Sequence, residues 1–214
     1  MNYRKLIVDS GLRMRDSGLT VETWGNISIR DPETGNVYLT PSAMRYDLIS
    51  EEDVVITDAE GNVLDGKRKP TVEKGLHLEI YKNRKDVNAV IHTHPLYSTV
   101  FAAQGRDIKP FLDEAAQAFG GTVRCAKYAL PGTKELADNC AKALGSVNAC
   151  LLNSHGAVCV GADIDKAFKT AIVLEYTSHV LIMTESCGKA PVGISDDNVD
   201  KMWDFARFHY GQGK

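Results

Sequence analysis

An apolar stretch that ends in two histidines, Ala89-Val90-Ile91-His92-Thr93-His94-Pro95, constrains this chain more than any other segment. Residues two apart in a strand point to the same face, so both imidazoles are delivered to one place at the strand's end. Two imidazoles buried side by side are costly unless their lone pairs find partners. A metal ion supplies such a partner, and ordinary hydrogen bonds are the competing explanation. A third imidazole strengthens the metal reading. Asn153-Ser154-His155-Gly156 separates two apolar runs, 149–152 and 157–160, and so predicts a hairpin with a histidine at its tip and a glycine that permits close approach. Three imidazoles with an open position suit a catalytic metal.

Periodicity places these residues on elements. Tyr3, Leu6, Ile7 and Met14 recur at helical spacing, with Ser17-Gly18 as a stop. Short strands are predicted at 26–30, 36–39 and 54–57, separated by turn-rich segments and paired antiparallel. After Pro70 a helix is predicted with Val72, Leu76, Ile80 and Tyr81 inward, and Glu73 at its start. A carboxylate there reads equally as a helix cap or as a site residue. His77, four residues on, shares that face and reads as a possible ligand partner or, preferably, as buried support. Further helices are expected over 96–103, after Thr133, over 164–185 and over 197–209, the last with Val199, Met202, Trp203 and Ala206 inward, and a short strand over 122–126. Residues 105–110 are expected to form a loop. One α/β domain with a mixed or largely antiparallel sheet accommodates all of this.

The chain's 214 residues suffice for one sizeable core. Its 25 basic and 28 acidic residues are interleaved, net charge −3, which argues against nucleic acid as a partner. The longest basic cluster, Lys67-Arg68-Lys69, sits in an expected turn. Five cysteines with no C-x-x-C pair suit reduced thiols and a cytoplasmic location. No apolar run has the length of a membrane span, so no membrane role is expected.

Five segments in order, Trp24-Gly25-Asn26-Ile27-Ser28, Thr40-Pro41-Ser42-Ala43, Lys69-Pro70-Thr71-Val72-Glu73, His92-Thr93-His94 and Ser154-His155-Gly156, resemble the class II aldolase/adducin family, nearest its L-fuculose-1-phosphate-cleaving branch. The resemblance implies a mostly antiparallel sheet flanked by helices, and a homotetramer with active sites at subunit interfaces. It implies that His92, His94, His155 and Glu73 hold zinc, with Mn²⁺ or Co²⁺ as chemically suitable alternatives. It further implies that Glu73 is the acid/base group, and that Gly25, Asn26, Ser42, Ala43, Thr71 and Val72 bind the phosphate of a phosphorylated ketose. Retro-aldol cleavage to dihydroxyacetone phosphate and an aldehyde such as L-lactaldehyde is the expected reaction. A pentulose-5-phosphate 4-epimerase, or another lyase or decarboxylase of the family, would use the same metal site, whereas an adducin-like binding module has no need of three converging histidines.

Two positions depart from that branch. Val72 stands where a second serine is usual and can offer only its backbone N–H. The pair Asp113-Glu114 sets Glu114 opposite a catalytic tyrosine, where an acid can assist proton transfer on the aldehyde side. Tyr210, in contrast, matches the family's C-terminal tyrosine, which serves a neighbouring subunit's site.

Overall fold

The computed structural model describes residues 1–211. In chain order the strands are β1 (Asn26–Arg30), β2 (Val37–Leu39), β3 (Val55–Thr57), β4 (Val63–Asp65), β5 (Ala89–Thr93), β6 (Arg124–Ala126), β7 (Ala149–Leu152) and β8 (Gly156–Gly161). The helices are α1 (Tyr3–Asp16), α2 (Lys74–Asn83), α3 (Leu96–Gln104), α4 (Asp113–Phe119), α5 (Lys134–Leu144), α6 (Ile164–Ser186) and α7 (Asp196–Phe208). All eight strands join one sheet in the order β4-β3-β2-β1-β5-β8-β7-β6. Every pairing is antiparallel except that of β6 with β7. This is the α/β class expected from the sequence.

Alternation along the central strands divides the core in two. Ile27, Ile29, Ala89 and Ile91 pack with Ile7, Met14, Phe101, Phe168 and Leu174 under α1, α3, α4 and α6. Val90, Val158 and Val160 pack with Leu76, Ile80, Leu136 and Cys140 under α2 and α5. The sheet is therefore the middle of three layers. His92, two residues after Val90, falls on the α2 side, and the β1–β5 register sets Asn26 opposite His92 and Ser28 opposite Val90.

Several local expectations are corrected. Val72 is 68 % exposed rather than inward, because helical geometry begins only after Glu73. Residues 113–119 form α4, a seven-residue helix whose buried positions are alanines and Phe119. β4 is an edge strand with all three residues exposed, which left no alternation to read. On α7 only Val199 is fully buried, while Met202, Trp203 and Ala206 are half-buried. No described helix is long and apolar enough to cross a membrane.

Candidate metal and catalytic site

β5 carries His92 into a fully buried position at the middle of the sheet. Its Nδ1 lies 3.0 Å from the Ala157 carbonyl of β8. Donation to that carbonyl fixes the proton on Nδ1 and leaves the Nε2 lone pair facing inward, the usual way a ligating imidazole is oriented. His94 lies one residue beyond β5, its backbone N–H bonded to the Leu19 carbonyl at 3.0 Å. The Trp24 indole stacks on it, with ring centroids 6.0 Å apart at 30°.

His155 sits on the β7–β8 turn, as the hairpin reading requires. Ser154 adopts φ 55° to make the turn, and its N–H is held by the Ala102 carbonyl at 3.0 Å. Gly156 then lies flat against β5. A Cβ at that position would overlap the Thr93 carbonyl oxygen and reach within 3.5 Å of His92 Cε1. Gly25, at φ 77°, is required for a similar reason, since a Cβ there would lie 2.7 Å from the His92 carbonyl oxygen.

The three rings cluster edge to face, with centroids 4.6, 4.7 and 5.0 Å apart. Their ligating atoms all lie within 4.8 Å of one another, a group that can hold a metal ion. His92 Nε2 and His94 Nε2 are 2.9 Å apart. Glu73 completes the cluster. It occupies the cap position of α2, but its side chain makes no capping hydrogen bond, which removes the capping interpretation. Instead the carboxylate, 4 % exposed, turns into the site. Oε2 accepts from Asn26 Nδ2 at 2.9 Å and lies 3.2 Å from His92 Nε2. Oε1 lies 3.6 Å from His155 Nε2 and is buried without a hydrogen-bond partner.

The electrostatics favour metal-binding forms. Burial, followed by the neighbouring imidazoles, pushes the His94 pKa down to about 3 and that of His155 down to about 4, so both are neutral with lone pairs available. For Glu73 burial acts upward, but His92, the Asn26 hydrogen bond and His155 outweigh it and hold the carboxyl below its ordinary value. An ionised carboxylate with an unpartnered oxygen beside three converging imidazoles is a donor set that fits a divalent cation.

The loops expected to hold phosphate converge beside this cluster. Pro41 and Pro70 form an isolated bridge that joins the 40–43 and 69–72 segments, and Thr40 N bonds to the Ile27 carbonyl at 3.0 Å. The backbone N–H of Ser42 is committed to Lys69 O, and that of Thr71 to Thr40 O. Those of Gly25, Ala43 and Val72 donate to no acceptor among the described residues. Ala43, like Gly25, has positive φ, 54°, a local conformation that lets successive amides converge on an anion. Thr71 is buried and Val72 exposed.

Glu114 is exposed in the first turn of α4. Tyr210 is 55 % exposed, with its ring 6.0 Å from that of Phe205 and Lys169 Nζ over it at 5.6 Å. Neither residue joins the imidazole cluster within the single chain. The residues that sequence reasoning left without a function are Trp24, Ser28 and Tyr81. Tyr81 reads as an inward position of a helix and Ser28 only as a member of a strand, with no local signal that the two meet.

A three-layer α/β fold with three imidazoles and a buried carboxylate at its central strands has the form of a class II aldolase. Residues 5–182 match the family model described as Class II Aldolase and Adducin N-terminal domain, and the chain belongs to this family. It is 37 % identical over 199 residues, 93 % of this chain and 92 % of the relative, to the 5-deoxy-D-ribulose 1-phosphate aldolase of Bacillus thuringiensis serovar kurstaki. To an L-fuculose phosphate aldolase of Methanococcus maripaludis it is 38 % identical over 161 residues, 75 % of this chain and 85 % of the relative. Among solved structures, an L-fuculose 1-phosphate aldolase superposes with a TM-score of 0.92 at 34 % identity, covering 96 % of each chain.

Proposed function

We propose that this chain is a divalent-metal-dependent aldolase that cleaves a ketose 1-phosphate between C3 and C4, giving dihydroxyacetone phosphate and a short aldehyde. The observation that carries the reading is Glu73 Oε1, buried and unpartnered beside three converging imidazoles. Metal ligation by His92, His94 and His155 belongs to the proposal, with zinc the favoured ion and Mn²⁺ or Co²⁺ compatible with the same donors. Such an ion would supply Lewis-acid polarisation of the ketose carbonyl.

The protein's own groups supply the rest. In the condensation direction the ionised Glu73 carboxylate takes a proton from C3 of dihydroxyacetone phosphate, and in cleavage the same oxygen returns it to the enediolate carbon. The proton lost from the C4 hydroxyl balances the one gained at C3. The phosphate is assigned to the N–H groups of Gly25, Ala43 and Val72 with the hydroxyls of Ser42 and Thr71; Asn26 lines the same place with its side-chain amide already engaged by Glu73. Tyr210 and Glu114, both exposed and apart from the cluster, would serve the aldehyde side of a neighbouring copy's site in a homotetramer.

L-fuculose 1-phosphate and 5-deoxy-D-ribulose 1-phosphate share C1 to C3 and differ in the tail that leaves as aldehyde, lactaldehyde for the first and acetaldehyde for the second. The substrate class proposed is therefore a deoxyketose 1-phosphate. Metal analysis of the purified protein, coupled to measurement of dihydroxyacetone phosphate from both ketoses, tests this, with L-ribulose 5-phosphate epimerisation run in parallel. Stoichiometric metal and dihydroxyacetone phosphate release are expected. Bound metal with no cleavage of either ketose rejects the aldolase assignment, and epimerisation without a free aldehyde replaces it.

A further inference from the structure

Behind Glu73 the structure buries a chain of polar side chains that leads away from the metal cluster. Glu73, His77 and Tyr81 lie at four-residue spacing and so form one stripe on α2 and its cap. Asn26 and Ser28, two apart, point from β1 toward that stripe. The two rows interdigitate, helix and strand alternately. Asn26 Nδ2 donates to Glu73 Oε2 at 2.9 Å. His77 Nε2 meets Asn26 Oδ1 at 2.5 Å, and His77 Nδ1 meets Ser28 Oγ at 2.6 Å. The Tyr81 hydroxyl closes the ladder between Ser28 Oγ at 2.8 Å and the Ser28 carbonyl at 3.0 Å. His77 and Ser28 are 0 % exposed, and Asn26 and Tyr81 no more than 5 %.

From Glu73 to Ser28 each bond has only one direction compatible with its neighbours, and the single Tyr81 hydroxyl hydrogen is then shared between Ser28 Oγ and the Ser28 carbonyl. An ionised carboxylate can only accept, so Asn26 must present its NH₂ to Glu73 and its carbonyl to His77. His77 must then be the neutral tautomer protonated on Nε2, with Nδ1 accepting from the Ser28 hydroxyl. Burial lowers the pKa of His77 to about 3, which agrees with a neutral ring. A hydrophobic set of the same volumes would hold α2 on the sheet without this network, since a buried polar chain has to be fully satisfied merely to avoid a penalty. What the network adds is orientation. It holds Oε2 toward β1 and leaves Oε1 as the oxygen free to face the reacting carbon.

We propose that Asn26, His77, Ser28 and Tyr81 form a positioning ladder that fixes the rotation of the Glu73 carboxylate, with His77 as its central rung. The proposal deepens the aldolase reading and rests on Glu73 being the proton-transferring group. Partners that orient an active-site group from behind are worth roughly 10–100-fold when removed. His77→Leu and Asn26→Ala are therefore expected to lower kcat per bound metal by about that factor with metal content retained and KM for the ketose phosphate little changed, and His77→Gln, which can still donate to Asn26, to recover much of the loss.

A purely structural role would lower the melting temperature and leave kcat per bound metal within about 2-fold of wild type, and that result in both variants overturns the ladder. A rise in KM alone for Asn26→Ala overturns it as well, because it assigns the amide to substrate phosphate. A measurement independent of turnover is the ¹⁵N spectrum of the histidine rings in the wild-type protein. A proton on His77 Nε2 is expected, and one on Nδ1 overturns the proposal. Wild-type cleavage of the two ketose phosphates scores the aldolase assignment separately. If it is absent, the ring spectrum and the Glu73 rotamer in a crystal structure of Asn26→Ala still decide the ladder, an unmoved carboxylate counting against it.

Discussion

His92 Nε2 and His94 Nε2 face each other at 2.9 Å. The Nδ1 of His92 is engaged by Ala157 O, which leaves Nε2 as the nitrogen turned toward His94 and Glu73. Two imidazole nitrogens held this close, beside a carboxylate oxygen at 3.2 Å from His92, form an arrangement that a cation stabilises. Glu73 and the imidazoles should therefore separate by function under mutation. Glu73→Gln is expected to keep most of its metal and to lose about 10²–10⁴-fold in kcat as the acid/base group disappears. His94→Ala is expected to lose metal and turnover together. Full activity in either protein contradicts the assignment.

Acid should unfold the metal-free protein early. His77 and His94, at about 3, and His155, at about 4, are depressed from an ordinary value of 6.5. Between those limits the unfolded chain binds protons that the folded chain does not, so stability falls as pH falls. The lowered pKa of Glu73 acts in the same direction at lower pH. Urea midpoints of chelator-treated protein are expected to hold steady above pH 7 and to drop progressively from about 6.5 toward 4. A midpoint unchanged from pH 7 to pH 5 would show that the rings are not buried neutral.

Trp24 reports on the site optically. Its ring is stacked on His94 while remaining 62 % exposed, whereas Trp203 lies on α7. In a Trp203→Phe protein, adding Co²⁺ to the metal-free form should quench the remaining fluorescence, and a chelator should restore it. No change on metal addition would place the ion elsewhere.

Gly156 and Gly35 separate two reasons for glycine. At Gly156 an added methyl meets the Thr93 carbonyl and the His92 ring, at a backbone angle any residue can adopt. At Gly35 φ is 78° and nothing lies within 4 Å. Gly156→Ala is expected to cost at least the ~1–3 kcal/mol of an overpacked site and to weaken metal binding. Gly35→Ala should cost ~1–2 kcal/mol, the penalty of a Cβ in the left-handed region, and leave metal binding intact. Denaturation and metal titration of the pair measure both, and equal metal affinity in the two variants would argue against the Gly156 contact.

Glu175 of α6 holds the segment that leaves His94. Its carboxylate accepts from Tyr97 N at 2.7 Å, Ser98 N at 2.8 Å and Ser98 Oγ at 2.7 Å, and so supplies from another helix the N-terminal cap that α3 lacks. Glu175→Ala should cost about 1–2 kcal/mol, the range for loss of a cap, seen as a shifted denaturation midpoint. A midpoint equal to wild type would mean that solvent caps α3 equally well.

The elements that read clearly from sequence are those whose burial repeats locally. Ala89–Thr93 is apolar on both faces because both faces are covered, and its terminal H-x-H shares a face by strand period alone. The hairpin that carries His155 follows from two apolar runs around Ser154 and Gly156. Helices α1, α5 and α6 show their buried faces at helical spacing. Residues 113–119 did not, since a seven-residue helix spans only two turns and its buried positions are mostly alanine. Val72 was misplaced because periodicity cannot say on which side of a cap the helix begins.

Composition and period thus determine the strand that bears His92, the turn that bears His155 and the helix that follows Glu73. Only the tertiary structure decides that these three meet. β1, β5 and β8 become neighbours through crossovers that span the chain, and the angle at which α2 lies on the sheet is set by side-chain packing rather than by any local propensity. The alternation of Glu73, Asn26, His77, Ser28 and Tyr81 arises from that same docking, in which a four-residue helical stripe and a two-residue strand stripe run side by side. Their meaning as one hydrogen-bonded chain depends on the register between a helix and a strand about fifty residues apart in sequence.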